Sequence, residues 1–337
     1  MKFQHRNVGR CAAILGAGRI AGGTFIKSDE KRKINTHAAG MLVNDISIVA
    51  IYDPDRSRAE LFSEVWGGEV HYSIDSILNV PPCLDIVVVC SPDKFHAEQV
   101  MQVLSARFPP RVLIIEKPPA VNSNQWRLVE DITRSQSRTE VIVNMTRRFD
   151  PRYAEVAQII NSGNLGALVS IDFTYYGGWL HNGVHAVDVV HYLFDQKLRV
   201  ISANGLSHDH EGDQYLRVDA VFEDCRDAQI RFRCFDESYF QCFELDAKFT
   251  QGRIRLDNFG SRISVEKAYI NDIGERELQP LKDLDYDLCH SPMRRLYAAS
   301  CDFLDNNAST ALSRASLTEI DKTMRVVFDA IQQSKSR

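Results

Sequence analysis

The sequence predicts an α/β protein with an open parallel sheet in its first half and half-exposed strands in its second half. In the first half, runs rich in Val, Ile and Leu alternate with stretches whose apolar residues recur at helical spacing. Such runs are typical of strands buried on both faces, and their alternation with helices indicates right-handed crossovers. The second half alternates apolar with polar residues, which is typical of strands with one solvated or subunit-facing surface.

The predicted elements follow from these two patterns. In the first half, five strands are predicted at residues 11–16, 46–52, 84–90, 111–116 and 140–145. Three helices are predicted between them, at residues 56–65, 95–106 and 124–135. In the second half, six strands are predicted at residues 169–177, 216–224, 228–236, 239–249, 252–258 and 262–270. Three helices are predicted at residues 179–194, 291–306 and 316–334.

Composition excludes several classes of function. The 337 residues are 44% hydrophobic and 25% charged with a net charge of -5, so no general attraction to nucleic acid or anionic membrane is expected. No apolar run approaches the roughly 20 residues of a membrane span, and the N-terminus shows no export signal. The eight cysteines form no C-x-x-C pair, which favours reduced thiols in a cytoplasmic protein over a disulfide scaffold or zinc ribbon.

A glycine-rich loop follows the first strand, in the letters GAGRIA of residues 16–21. Gly16 permits a tight turn, Gly18 lets a pyrophosphate approach the backbone, and Ala21 is small enough for close packing of helix on strand. Arg19 and Ile20 complete the loop, and the phosphates are expected at the helix N-terminus. Between a strand and a helix, this hexad predicts dinucleotide binding.

The second strand ends at Asp53, whose carboxylate can accept hydrogen bonds from the adenosine ribose hydroxyls. This favours NAD over NADP without excluding NADP, because Arg56 and Arg58 follow closely. The alternative is a turn residue before Pro54. Asp53 lies 35 positions after Gly18, where about 20 is usual. The excess contains the charged run of residues 27–33, predicted as part of an exposed turn and helix; a flap over the cofactor is the alternative.

Two further strand ends carry polar residues at the edge where such a sheet binds its ligand. Ser91 and Pro92 follow one strand, and Glu116 and Lys117 follow the next. Lys117 is therefore predicted to face the nicotinamide, where an ammonium can hydrogen-bond a carbinol oxygen or change its protonation state. Pro118 is expected to hold this lysine in place.

Several motifs, in this order, resemble the glucose-fructose oxidoreductase / inositol dehydrogenase / rhizopine catabolism (Gfo/Idh/MocA) family. They are GAGRIA, YDPD, CSPDKFHAEQV, EKPPA, RRFDPRY and GGWLHNGVHAVDVVHYLF. The resemblance is close over residues 10–195 and loose in two segments beyond. It implies an NAD(P)-binding Rossmann domain at residues 1–145, followed at 146–337 by a substrate-binding and oligomerisation α/β domain with a large, mainly antiparallel sheet.

The resemblance also implies roles for individual residues. Lys117 is expected beside substrate and nicotinamide, and Glu116 near the nicotinamide ribose. Ser91, Pro92 and His96 are expected to line the cofactor cleft. Without the motif, His96 would simply be a residue at a helix start.

The last motif places Asn182 and His185 three residues apart, on one face of the predicted helix. In many relatives an Asp stands at the position of Asn182 and pairs with the His. Asn cannot act as a base, so Lys117 and His185 are the candidate acid–base groups. In having Asn at this position, the sequence resembles the branch of the family whose members oxidise UDP-N-acetylhexosaminuronates. His181 and His185 have the spacing of a zinc pair, but the sequence shows no convincing third ligand and predicts no metal site.

The prediction is therefore an enzyme that transfers hydride between a nicotinamide and a secondary alcohol of a sugar or sugar nucleotide. Two alternatives stay open: a redox-assisted glycosidase with permanently bound NAD, and a non-catalytic dinucleotide-sensing regulator. The expected assembly is a homodimer or homotetramer formed through the C-terminal sheet. Neither the sugar nor the direction of reaction follows from the sequence.

Overall fold

The structure, a computed structural model, describes residues 9–23, 34–78, 84–136, 138–209, 212–225, 227–285, 291–307 and 309–335. The chain divides into two compact units. The first unit comprises Met1–Phe149 and Leu288–Glu319, and the second unit comprises Asp150–Asp287 and Ile320–Arg337. Residues 288–319, which the sequence analysis assigned to the second domain, thus cluster with the first unit. The predicted domain boundary between residues 145 and 146 and the predicted roles of the two domains stay predictions.

The described part of the chain contains eleven α-helices. They are α1 (Arg19–Gly22), α2 (His37–Leu42), α3 (Arg56–Trp66), α4 (Ile74–Leu78), α5 (His96–Leu104), α6 (Ser123–Ser135), α7 (Pro151–Asn161), α8 (Val184–Phe194), α9 (Pro292–Leu304), α10 (Thr310–Ser313) and α11 (Leu317–Lys335). None of them combines the length and hydrophobicity needed to cross a membrane.

The first unit contains a parallel sheet, as predicted, with six strands where the sequence predicted five. Its strands are β1 (Cys11–Leu15), β2 (Ser47–Tyr52), β3 (Glu69–Val70), β4 (Ile86–Val89), β5 (Val112–Ile115) and β6 (Glu140–Val143), in the order β3-β2-β1-β4-β5-β6. Every residue of β4 and β5 is buried, which explains their continuous apolar sequence. The sequence analysis missed β3, because two residues are too few to show a period.

The second unit contains an eight-stranded sheet in the order β14-β13-β12-β11-β7-β10-β9-β8. Its strands are β7 (Leu168–Tyr176), β8 (Leu198–His208), β9 (Gln214–Phe222), β10 (Gln229–Phe235), β11 (Phe243–Phe249), β12 (Gly252–Asp257), β13 (Arg262–Ile270) and β14 (Arg276–Asp285). Only β7 and β10 pair in parallel, so the α/β fold with a mainly antiparallel second sheet is confirmed. The sequence analysis missed β8 and β14.

One face of this second sheet carries ion pairs between neighbouring strands. Asp172 on β7 contacts Arg231 on β10 at 2.7 Å, and Asp246 on β11 contacts Arg253 on β12 at 2.7 Å. These charges occupy the polar positions of the alternating pattern, whereas buried residues such as Phe173 occupy the others. The alternating sequence pattern of these strands therefore indicates a sheet with one buried face and one charged face.

Candidate functional site

The loop after β1 turns at Gly16, whose φ is +103°. Its N–H donates to Tyr52 O at 2.7 Å, at the end of β2. A Cβ at this position would lie 2.6 Å from Ser91 N, in the loop after β4. Both the left-handed backbone and the close approach require glycine. The structure therefore brings the ends of β1, β2 and β4 together at the predicted cofactor loop.

The helix after this loop is short in the described residues. Gly18 caps α1, with Arg19 exposed and Ile20 half-buried. Ala21 is buried, but the tightest contact is at the next residue, where a Cβ on Gly22 would lie 2.6 Å from Trp66 Nε1. This close contact is between α1 and α3, and the predicted packing of the helix on its strand through Ala21 stays a prediction. Phosphate binding at this end of α1 stays a prediction.

Asp53 follows β2 and closes the turn. Its carboxylate accepts hydrogen bonds from Ala17 N at 2.8 Å and from Asp55 N at 2.9 Å. A carboxylate offers about four acceptor positions, so two backbone bonds leave room for ribose hydroxyls. Arg56 pairs with Glu60 at 2.7 Å and Arg58 with Asp55 at 3.9 Å. The turn role and the cofactor role of Asp53 are therefore compatible, while the charged run of residues 27–33 lies outside the described residues.

The loop after β4 is tied to the loop after β5 by a buried histidine. His96 is 1% exposed; its Nδ1 lies 2.8 Å from Pro118 O and its Nε2 lies 2.7 Å from Ser91 O. Ser91 also donates its hydroxyl to Gln99 at 2.8 Å, and Pro92 is exposed. His96 therefore connects two loops from beneath. Its predicted place in the cofactor cleft stays a prediction, as do those of Ser91 and Pro92.

Glu116, at the end of β5, lies in a buried hydrogen-bond network of the first unit. Its Oε1 lies 2.9 Å from His37 Nε2 and accepts from Asn144 Nδ2 at 2.5 Å, and Oε2 accepts from Lys117 N at 3.3 Å. His37 is fully buried, and its Nδ1 lies 2.7 Å from the Tyr297 hydroxyl on α9. Sequence reasoning missed His37, Asn144 and Tyr297, since no local pattern connects three such distant positions.

The charges in this network can be assigned from its contacts. Burial alone would raise the pKa of Glu116, but the hydrogen bond and charge of His37, together with Asn144 and Lys117, outweigh burial, and the pKa lies below its ordinary value. Burial raises the pKa of Tyr297 well above its ordinary value, and the charge of Glu116 adds to this effect. The phenol thus keeps its proton and shares a hydrogen bond with Nδ1 of His37, whose Nε2 lies in hydrogen-bond contact with an ionised Glu116.

Lys117 is half-buried and is the second residue after β5, with a cis peptide bond to Pro118. Its strand is adjacent to β4 in the sheet, and β4 is adjacent to β1. Because these strands are parallel, their carboxyl ends meet at one edge. The structure therefore places Lys117, Gly16 and Asp53 along the same edge of the first sheet.

The second constellation lies in the second unit, where the chain after β7 does not enter an α-helix at once. Trp179–Gly183 form one turn of π-helix, and α8 begins at Val184. Asn182 therefore lies in the π-turn and His185 in α8, and both are half-buried. The continuous helix predicted over residues 179–194 is corrected in its first turn. Single π-turns of this kind occur frequently at functional sites.

Asp213, just before β9, holds the π-turn in place. Its carboxylate accepts from Leu180 N at 3.1 Å and from His181 N at 2.9 Å, and it lies 2.9 Å from His181 Nδ1. A Cβ on Gly178 would lie 2.0 Å from Asp213 Oδ2, so only glycine fits beneath this carboxylate. His181, which the sequence analysis considered as a partner of His185 in a zinc pair, instead pairs with Asp213. The sequence analysis missed Asp213.

A second carboxylate lies near Asn182. A Cβ on Gly177 would lie 2.8 Å from both Asn182 Nδ2 and Glu237 Oε2, so these two side chains flank the same backbone position. His181, Asp209 and Asp213 also have ligand-type atoms within 4.8 Å of one another. Asp213 already binds two backbone N–H groups there, and exposed acidic groups often gather without a metal. This geometry indicates a turn held by hydrogen bonds.

Comparison with known proteins agrees with the motifs. Residues 11–145 match the model of the GFO_IDH_MocA oxidoreductase family, NAD-binding Rossmann fold. The chain is 28% identical over 162 residues to inositol 2-dehydrogenase of Rhizobium meliloti, a match that covers 48% of the chain and 43% of that relative. The chain spans about half the length of the curated relatives it matches.

Solved structures share the fold over nearly the whole chain. Transcriptional regulator Gal80p of Kluyveromyces lactis has a TM-score of 0.73 at 17% identity, covering 97% of this chain and 93% of its own. KijD10 of Actinomadura kijaniata, a 3-ketoreductase in complex with NADP, has a TM-score of 0.70 at 16% identity, covering 94% and 96%. At such identities the likeness shows the fold alone. With the match over residues 11–145 and the observed parallel sheet, the first unit of the chain has the NAD-binding Rossmann fold of the Gfo/Idh/MocA oxidoreductase family.

Proposed function

We propose that the chain is an NAD(P)-dependent oxidoreductase that transfers hydride between a nicotinamide and a secondary alcohol of a sugar or related polyol. The arrangement of Gly16, Asp53 and Lys117 along one edge of the parallel sheet carries this proposal. Dinucleotides bind outside the carboxyl ends of such strands, with the adenosine ribose beside an acidic residue after β2. A cofactor held there by Gly16 and Asp53 extends toward the strand that ends at Lys117.

The proposed roles of the side chains follow from their chemistry. Bound NAD(P) supplies the hydride acceptor or donor. In the oxidation direction, Lys117 or His185 accepts the hydroxyl proton, and the other group with Asn182 orients the hydroxyls and stabilises the charge that develops on oxygen. Asn182 has an amide and no acid–base function, so it serves only to orient.

The preferred cofactor in this proposal is NAD. The Asp53 carboxylate is fixed by two backbone N–H groups at the end of β2, and a 2′-phosphate there would meet a negative charge. Arg56 and Arg58, the cations that would favour NADP, pair with Glu60 and Asp55. The structure of KijD10 in complex with NADP shows only that a protein of this fold binds NADP.

Two substrate classes are proposed for testing. The Asn at position 182 favours a sugar nucleotide such as a UDP-N-acetylhexosaminuronate, through its resemblance to that branch of the family. The relatives named inositol 2-dehydrogenase favour a neutral cyclitol. Both classes present a secondary alcohol to the same proposed acid–base groups.

A panel of cyclitols, sugars and UDP- or dTDP-sugars, each with NADH and with NADPH, tests the proposal by thermal shift and by turnover. Lys117→Met should leave NADH affinity within about threefold while turnover falls by about a thousandfold or more, because acid–base and electrostatic groups each contribute about 10²–10⁴. Lys94→Met, an exposed lysine in the loop after β4, is the matched control. Turnover that survives Lys117→Met would reject the assignment of Lys117.

The fold also occurs in a transcriptional regulator, so a dinucleotide-sensing regulator is the second candidate. A regulator needs the cofactor loop but no acid–base side chains, and this chain has both Lys117 and His185. NADH binding without turnover of any member of the panel, with a binding change on adding a partner protein, would favour the regulator over the enzyme.

A further inference from the structure

Glu116 precedes the proposed catalytic lysine, yet its carboxylate is 8% exposed and accepts hydrogen bonds on both oxygens. A buried carboxylate can stay ionised only when donors replace its lost hydration. His37 and Asn144 supply two such donors from α2 and from the loop after β6. This geometry gives Glu116 a different role from the predicted contact with the nicotinamide ribose.

The two side-chain donors to Glu116 come from distant parts of the first unit, and one of them, His37, contacts a third distant residue. Tyr297 on α9 is fully buried and lies against His37 at 2.7 Å, with the two rings edge to face at a centroid distance of 5.9 Å. The ring of Tyr297 packs where a Cβ on Gly40 would lie 2.6 Å from its Cδ2, so α2 and α9 meet closely. The position of His37 is thereby fixed from both of its sides.

We propose that His37, Asn144 and Tyr297 are positioning residues that hold Glu116, the residue before Lys117, as a carboxylate, and that this carboxylate holds Lys117 as an ammonium. The consequence for catalysis rests on the function proposed above. Attraction between the two charges is mutual: the charge of Lys117 favours ionised Glu116, so ionised Glu116 favours the ammonium form of Lys117. The backbone N–H of Lys117 also donates to Glu116, which ties the carboxylate to the lysine it serves.

The other groups around Glu116 reinforce this assignment. They are the Cys90 thiol after β4 and the Tyr297 phenol on α9, and burial raises the pKa of both well above the ordinary value. Both therefore stay neutral, and the Cys90 thiol donates to Gly16 O at 3.2 Å. The ionised form of Glu116 is favoured by the hydrogen bond and charge of His37, by the hydrogen bond of Asn144 and by the charge of Lys117, the next residue in the chain.

Competitive labelling with acetic anhydride tests the proposal without any assay of activity. The rate at which the Lys117 amine is acetylated, measured by peptide mass spectrometry from about pH 7 to 11, reports its protonation because only the free amine reacts. Exposed Lys94 in the same chain is the internal standard. Glu116→Gln removes the charge at nearly constant shape, and His37→Leu removes one donor to the carboxylate.

Glu116→Gln should move the labelling midpoint of Lys117 to lower pH by about one unit, which is about tenfold in the fraction of free amine at a given pH. His37→Leu keeps the carboxylate and should move the midpoint less. Tyr175→Phe is the matched control, since Tyr175 is also fully buried but its hydroxyl bonds to Leu216 O at 2.6 Å, in the second unit. The Lys94 midpoint should not move in any variant. NADH affinity should stay within about threefold in both, which a contact with the cofactor would not allow.

The outcomes separate this inference from the proposed function. An unchanged Lys117 midpoint in Glu116→Gln, or an equal shift in Tyr175→Phe, would overturn the inference even if the enzyme turns over a sugar. Should His37→Leu fail to fold, Glu116→Gln still decides the question. A shifted midpoint in a protein that oxidises no alcohol would sustain the inference and reject the dehydrogenase.

Discussion

The two units hold their candidate side chains in place by different means. In the first unit, Gly16, Asp53 and Lys117 lie one or two residues after strands of one buried parallel sheet, so the hydrogen bonds between these strands set their positions. In the second unit, Asn182 lies in a single π-turn fixed by one carboxylate, Asp213. Side chains positioned by a sheet edge should move when a substitution changes the shape of the backbone there. Side chains positioned by one buried hydrogen-bonding group should move when that group is replaced.

The largest effect is expected at the sheet edge, in Gly16→Ala. The added Cβ would lie within 2.8 Å of three backbone atoms of the loop after β4, at a φ of +103°, so the cofactor loop must move. We expect NADH affinity to fall by about a hundredfold or more, since a loss of about 3 kcal/mol is a reasonable cost for such strain. Isothermal titration calorimetry measures this change.

Gly163→Ala is the matched control for this substitution. Gly163 has a φ of +71°, but a Cβ there would have no atom within 4 Å. It therefore tests the cost of the left-handed backbone alone, about 1 kcal/mol. Equal effects of the two substitutions on NADH affinity would show that the close approach of the two loops does not matter.

The second unit should respond to the loss of one charge, in Asp213→Asn. The amide keeps the shape but turns one oxygen into a donor that faces His181 N and Nδ1. The π-turn then loses its anchor, and we expect kcat to fall by about 30-fold, equivalent to roughly 2 kcal/mol, with NADH affinity unchanged. Steady-state kinetics with the best substrate of the panel measures kcat and KM separately.

Asp236→Asn is the comparison for this charge. Asp236 is an acid of the second unit whose carboxylate accepts a hydrogen bond from Ser238 N at 2.9 Å. It should leave kcat within about twofold, as surface substitutions generally do. A wild-type kcat in Asp213→Asn would mean that the turn does not need its anchor.

The sequence predicted the first unit better than the second for a physical reason. Buried parallel strands leave continuous apolar runs, and the residue after each run lies at the ligand edge, so Gly16, Asp53 and Lys117 can be found from local letters. The π-turn at Asn182 depends on Asp213, 31 residues away in the chain, and on a glycine that leaves space for it. No local period reports such a contact. The same holds for His37 and Tyr297, which meet only through folding.

A smaller effect is expected at Asp53, and it concerns cofactor choice. Asp53→Ala removes the charge that disfavours a 2′-phosphate, so the preference for NADH over NADPH should fall by about tenfold, or roughly 1.4 kcal/mol. The ratio of the two dissociation constants measures it. Glu60→Ala, which frees the nearby Arg56, is a second route to the same change. A ratio that stays constant in Asp53→Ala would contradict the assignment of Asp53 to the ribose.

The smallest effect contrasts two glutamates on adjacent strands of the first sheet. Glu116 has a pKa below its ordinary value, because donors outweigh burial, whereas burial raises the pKa of Glu140, the first residue of β6. Glu116 therefore contributes stability above its unfolded pKa, and this stability is lost as pH falls through the folded pKa. The contribution of Glu140 to stability changes with pH in the opposite direction. Glu140 binds a proton more readily in the folded protein than in the unfolded chain, so the cost of its burial is relieved as pH falls.

Urea unfolding between about pH 3 and 7 separates these two contributions. Glu116→Gln should be less stable than the wild-type protein at neutral pH and should lose less stability as the solution is acidified. Glu140→Gln should be as stable as the wild type or more stable at neutral pH, and should lose more stability on acidification, because it lacks a group that gains a proton on folding. If the free energies of unfolding of the two variants changed with pH in the same way, the donors around Glu116 would not offset its burial. The hydrogen-bond network of Glu116 would then lose its proposed electrostatic role.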